Sequence, residues 1–147
     1  MIANLLNSLY ELDYQQWLET TVGHLSDRNF DQVDLEYLVV ELESMGKSEK
    51  ASLESNLAIL LMHLLKYKYQ PQKRSDSWRS SIVEHRRRIL RAFKHSPSLR
   101  MHFTEVLTEC YQDARQDAKT ETQLAITTFP EICPFALEEI LDPNFLP

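Results

Sequence analysis

Leu53-Glu54-Ser55-Asn56-Leu57-Ala58-Ile59-Leu60-Leu61-Met62-His63-Leu64-Leu65-Lys66-Tyr67 is the stretch that decides the fold class. Leu53, Leu57, Leu60, Leu61, Leu64 and Leu65 recur at the three- and four-residue spacing of an α-helix. They cover more than half of its circumference, which predicts a central helix packed on several sides. The helix is expected from Ser48 to Lys68, with Ser48 and Glu49 at its start and Pro71 ending it. Gln70 to Ser75 is then a short polar connection.

Upstream, Asp13-Tyr14-Gln15-Gln16 has capping-box spacing, so a helix is expected to start there. Its apolar stripe is Tyr14, Trp17, Leu18, Thr21, Val22 and Leu25, and the polar run Ser26 to Phe30 breaks the pattern. A second helix is expected from Asp31 or Asp34 to Met45, turning Leu35, Leu38, Val39, Leu42 and Met45 to the core. Gly46 is expected to close it as a left-handed C′ residue.

Downstream, Ser75 or Asp76 can cap a fourth helix to His95, with Trp78, Ile82, His85, Ile89 and Phe93 inward. Ser96-Pro97-Ser98 is a break and a restart. A fifth helix follows from Leu99 to about Glu121, on the stripe Leu99, Phe103, Val106, Leu107, Cys110, Ala114 and Ala118. The last three are small enough to let another helix come close. The tail holds Phe129, Phe135, Leu137, Ile140, Leu141, Phe145 and Leu146, too many apolar groups to leave in water. A short helix from Pro134 to Leu141 and a packed tail are expected. The fold class is therefore all-α: a single-domain helical bundle over residues 1–147, with five main helices plus a short C-terminal one.

Composition agrees. Two glycines in 147 residues, against a usual usage of about 7%, are too few for a strand-rich fold with tight turns. No run of 18 or more apolar residues exists, so no membrane span is expected. The opening residues lack the basic and apolar regions of a signal peptide. Cys110 and Cys133 form no C-x-x-C and read as buried thiols of a cytoplasmic protein. Charge is segregated. Residues 66–94 carry ten of the sixteen Lys and Arg against only Asp76 and Glu84, a net +8, while the rest of the chain carries −14. Such an element must face an acidic surface of the same fold, a partner protein or a phosphate backbone.

Several strings coincide with those of one family. They are Leu38-Val39-Val40-Glu41-Leu42-Glu43-Ser44-Met45-Gly46-Lys47-Ser48-Glu49, Leu60 through Tyr67, Gln70-Pro71 and Arg74-Ser75-Asp76-Ser77-Trp78. Ser96-Pro97-Ser98-Leu99, Phe129-Pro130, Cys133-Pro134 and the ending Leu141-Asp142-Pro143-Asn144-Phe145-Leu146-Pro147 complete them. Together they resemble the DUF29 family of bacterial proteins, common in cyanobacteria, over almost the whole chain. The resemblance implies an all-helical cytosolic domain. It implies no activity and supplies no site residues.

Three constellations are candidates for chemistry. Glu41, His63 and His85 are polar groups on otherwise apolar faces, and a Glu with two His is a competent first shell for zinc or iron. Against this, the Glu-x-x-His signature of metal-binding bundles is absent, and a buried Glu41 paired with Lys66, an arginine or a histidine is the plainer expectation. Second, Arg79 with His85, and Arg88 with His95, have spacings that resemble the Arg-x(4–6)-His motif of HEPN-class helical ribonucleases. There histidine moves a proton and arginine meets the charged phosphorane. With so many arginines, chance matches are expected, and His85 sits on the inward stripe. Third, Tyr67, Tyr69 and Trp78 interleave with Lys66, Lys68, Lys73, Arg74 and Arg79. Aromatics among cations suit base stacking, although an acidic protein with pI near 5.3 is atypical of a nucleic-acid domain. The plainer expectation packs the acidic second helix near the arginine-rich fourth.

With two glycines, no phosphate-binding glycine loop and no nucleophile elbow can be built. His24 and His102 read as surface or boundary residues. The leading expectation is a non-enzymatic accessory protein, of the kind a toxin–antitoxin pair employs, with no cofactor and an unidentified protein partner. Its expected interface is Tyr67, Tyr69, Lys73, Arg74, Trp78 and Arg79. A nucleic-acid binder or ribonuclease, or a metal-binding bundle, is the alternative.

Overall fold

The computed structural model describes residues 9–147. Among them there are helices and short 3-10 turns and no strand. The helices are α1 (Tyr14–Ser26), α2 (Leu35–Tyr69), α3 (Asp76–His95), α4 (Leu99–Thr122) and α5 (Leu137–Leu141), with residues 9–12 helical ahead of α1. Turns of 3-10 type lie at Phe30–Gln32, Pro71–Lys73 and Ile126–Thr128. No helix among the described residues is long and apolar enough to cross a membrane. The residues of the chain cluster into two compact units, Met1–Ser48 and Glu49–Pro147.

In the second unit the leucine stretch behaves as its pattern demands. Leu57, Leu60, Leu61, Leu64 and Leu65 are fully buried. Ile82, Ile89 and Phe93 of α3 and Phe103, Cys110, Tyr111, Ala114 and Ala118 of α4 join them in one cluster. The small residues of α4 do allow close approach, since the Cys110 thiol reaches the Glu54 carbonyl of α2 at 3.7 Å. Ser75 caps α3 by accepting from the Trp78 amide. The tail packs as expected, with Phe129, Phe135 and Ile140 buried and Phe145 against the cluster. Its helix is shorter than Pro134–Leu141: it starts at Leu137, and Glu139 turns back to accept from the Ala136 amide at 2.9 Å.

The first unit departs from the pattern. Asp13 caps α1 as predicted, accepting from the Gln16 amide at 3.1 Å, and Asp34 does the same for Tyr37 at the start of α2. Gly46 does not end a helix. The two helices expected at 31–45 and 48–68 are one, α2, and no glycine has positive φ. A single glycine costs a helix only about 1 kcal/mol, and the good helix formers on both sides carry the chain through it. The left-handed position falls instead on Arg28, with φ 62°, just past the end of α1.

The stripes of this unit are also not buried as predicted. Leu35, Val39, Leu42 and Met45 are 51–63% exposed, and only Leu38 is half-buried. Along α1, Trp17 and Thr21 are buried, whereas Tyr14 and Val22 are exposed. What holds the unit is a box of rings: Trp17 meets Tyr10 edge-on at 4.9 Å, and Tyr10 lies 4.2 Å from Tyr37.

Candidate functional site

Glu41 is the polar centre of the first unit, and its setting corrects the expected one. It is neither buried nor paired with a cation. Its carboxylate accepts from the hydroxyls of Tyr10 and Tyr14. Those two bonds hold its pKa below the usual carboxylate range, with desolvation opposing. In return the Glu41 bond, with some burial, pushes Tyr10 up to about 12. All three groups are held in unreactive forms at neutral pH: an ionised carboxylate and two protonated phenols.

In the second unit His63 and His85 do meet, through Ser81. The Ser81 hydroxyl lies 3.4 Å from His63 Nδ1 and 3.3 Å from His85 Nδ1. Each Nδ1 also faces a backbone carbonyl one turn earlier, Ile59 at 3.0 Å and Ser81 at 2.8 Å. A carbonyl only accepts, so both Nδ1 atoms carry the proton. Ser81 therefore finds no basic nitrogen at Nδ1 and is not an activated nucleophile. Burial lowers the His63 pKa, with Lys66 and His85 in the same direction and the Ile59 carbonyl and Glu121 opposing. Among the described residues, no group of three or more His, Cys, Asp and Glu is arranged to hold a metal ion.

Three cations of the basic segment, Lys66, Arg74 and Arg86, are committed to internal contacts, while Lys73, Arg79, Arg87, Arg88, Arg91 and Lys94 are exposed. Lys66 is buried, bonded to Glu121 at 2.6 Å and set 4.6 Å over the Trp78 ring. Arg74 lies 4.2 Å over the Tyr67 ring and donates to the Tyr67 carbonyl at 2.7 Å and the Pro147 carbonyl at 3.0 Å. Arg86 is 2% exposed and donates to the carbonyls of Ile140 at 2.8 Å and Glu139 at 3.4 Å. Those carbonyls close the C-terminal end of α5, where a cation also meets the negative pole of the helix. Arg115, outside the segment, repeats the device on Phe129 and Ile126. Three arginines thus clamp the tail by its backbone. Of the interface residues expected from sequence, Tyr67 is buried, Tyr69 and Trp78 are half-buried, and Arg74 is engaged; Lys73 and Arg79 are exposed. The Arg86 role was missed: Arg86, the first of three consecutive arginines, lies four residues after Ile82 and three before Ile89 and so on their buried stripe, but no pattern along the helix names the tail carbonyls as its partners.

The two Arg–His spacings fare differently. Arg79 is exposed beside Asp76 at 3.8 Å, while His85 is half-buried on the Ser81 carbonyl. Arg88 and His95, by contrast, line one groove of about 330 Å³ together with Arg91 and Ala92 of α3 and Glu49, Ser52, Leu53 and Asn56 of α2. Both thiols are inert: burial pushes Cys110 up to about 11 and raises Cys133 as well. Both are free, Cys110 buried and Cys133 only half-buried. His102, expected at a boundary, ties α4 to α2 through Glu54 at 2.8 Å.

Fold and side chains together define an all-helical protein in which Arg74, Arg86 and Arg115 fasten the tail, and in which Arg88, Arg91 and His95 line a groove. The sequence model of the family described as Domain of unknown function DUF29 matches residues 9–146, and the chain belongs to that family. No curated protein and no solved structure matches it.

Proposed function

We propose that this protein is a protein-interaction module, a regulatory accessory of the kind a toxin–antitoxin partner would be, working in the cytoplasm. The observation that carries the reading is the row Leu35, Val39, Leu42 and Met45, which recurs at helical spacing yet stays exposed. A row of that length is the signature of a helix face that meets a partner. Acids surround it in sequence: residues 1–48 hold nine Asp and Glu against Arg28 and Lys47. The partner it fits is a protein helix with an apolar face flanked by Lys and Arg. Two unpaired thiols support the compartment.

The test is affinity capture of the full chain from its own cells, with nuclease, comparing wild type and Leu42→Asp. One stoichiometric protein retained by wild type and lost by the variant supports the reading. Equal capture by both, or a purified chain that forms a dimer which Leu42→Asp dissociates, overturns it.

A further inference from the structure

The groove on the second unit is built from two facing rows. Glu49, Ser52, Leu53 and Asn56 follow one another at i, i+3, i+4 and i+7 on α2. Arg88, Arg91, Ala92 and His95 do the same on α3. Each row is therefore one continuous helix face. Leu53, 2% exposed, and half-buried Ala92 make an apolar floor. One wall carries two guanidiniums and an imidazole, the other a carboxylate, a hydroxyl and an amide.

The cationic wall is available. Arg91 and His95 are exposed and bond no other group among the described residues. Arg88 holds Glu84 at 2.9 Å, but both are about half exposed, so the pair is weak enough to exchange for a stronger anion. This sets the groove apart from Lys66, Arg74 and Arg86, which are fixed by the fold, and exposed Lys73, Arg79, Arg87 and Lys94 do not line it.

We propose that this groove binds one nucleotide unit, its phosphate on Arg88, Arg91 and His95 and its base on the Leu53–Ala92 floor. Planar guanidiniums match phosphate oxygens in pairs. A base has an apolar face for the floor and an edge of donors and acceptors for the Glu49 carboxylate and the Asn56 amide. The volume, about 330 Å³, is of the size that holds a small ligand. The unit is either a free mononucleotide or one residue of a single strand.

Calorimetric titration of the full chain distinguishes these. The titrants are 5′-mononucleotides, a short mixed-sequence single-stranded RNA, and inorganic phosphate. The proteins are wild type, Arg91→Glu in the groove, and Arg79→Glu on the same helix outside it. Saturable nucleotide or RNA binding is expected, weakened about tenfold or more by Arg91→Glu and unchanged by Arg79→Glu. Mononucleotide binding as tight as RNA identifies the free nucleotide; RNA binding at least tenfold tighter identifies the strand. The proposal is overturned if nothing binds, if the two variants weaken binding equally, or if phosphate alone binds as tightly as the nucleotides.

Discussion

Residues 49–147 and residues 9–48 use similar proportions of apolar residues to opposite ends. In the former, the leucines of α2 disappear into a cluster that also takes in α3, α4 and the tail. In the latter only Trp17 and Thr21 are buried, and the buried indole N–H of Trp17 has no hydrogen-bond partner among the described residues. Leu12, Val22, Phe30, Leu35, Val39, Leu42 and Met45 meanwhile stand in solvent. Helical periodicity is equally clear in both. Periodicity therefore reports that a face is apolar, while what covers that face depends on how many other elements are at hand to pack on it.

Truncations on the same helix should separate the two regions most sharply. Leu61→Ala, at a site with no exposure, is expected to cost about 3 kcal/mol. Leu42→Ala, 59% exposed, should stay within about 0.5 kcal/mol. Urea unfolding measures both, and equal losses would erase the distinction. Next in size is Arg86→Ala, expected to cost about 2–3 kcal/mol because the carbonyls of Glu139 and Ile140 lose a charged donor. Faster hydrogen exchange should appear at α5 and spare α1; a uniform change would contradict the clamp.

Gly46→Ala should act in the other direction. Gly46 is exposed and helical, its φ is not positive, and a Cβ there meets nothing within 4 Å. A gain of about 1 kcal/mol is expected, read as a raised unfolding midpoint; a loss would restore the helix end predicted from sequence. The smallest effect is in acid. Burial depresses the folded-state pKa of His63 below its unfolded value, so the unfolded chain binds that proton first. The stability linked to His63 is thus full above about pH 6.5 and is lost as pH falls through the lowered folded value. His63→Leu should flatten the stability profile over that window, and an unchanged profile would place the acid sensitivity elsewhere.

Much of the fold was legible. Ser75 and Asp13 act as caps, α3 spans Asp76 to His95, and the aromatic tail packs down, all because hydrogen-bond needs at helix starts and apolar burial are local in their logic. The candidate site was less so. The Arg88–His95 spacing was visible, yet it is the α2 row of Glu49, Ser52 and Asn56 that makes a groove of it, and that pairing is nonlocal. The Glu41 partnership with Tyr10 and Tyr14 was missed because it spans 31 and 27 residues between groups that each read as ordinary.

The sequence by itself determined the helical class, the element starts and the family, since these follow from spacing, capping and composition along one chain. Only the tertiary structure decided that α2 runs unbroken through Gly46, that Arg74, Arg86 and Arg115 turn inward to the tail, and that Leu42 and Met45 remain in water. The last two depend on free carbonyls or covering surfaces supplied or withheld by distant residues, for which a pattern read along the chain contains no term; the first is a balance between a glycine's cost and the helix formers on both sides, which a single-residue signal does not weigh.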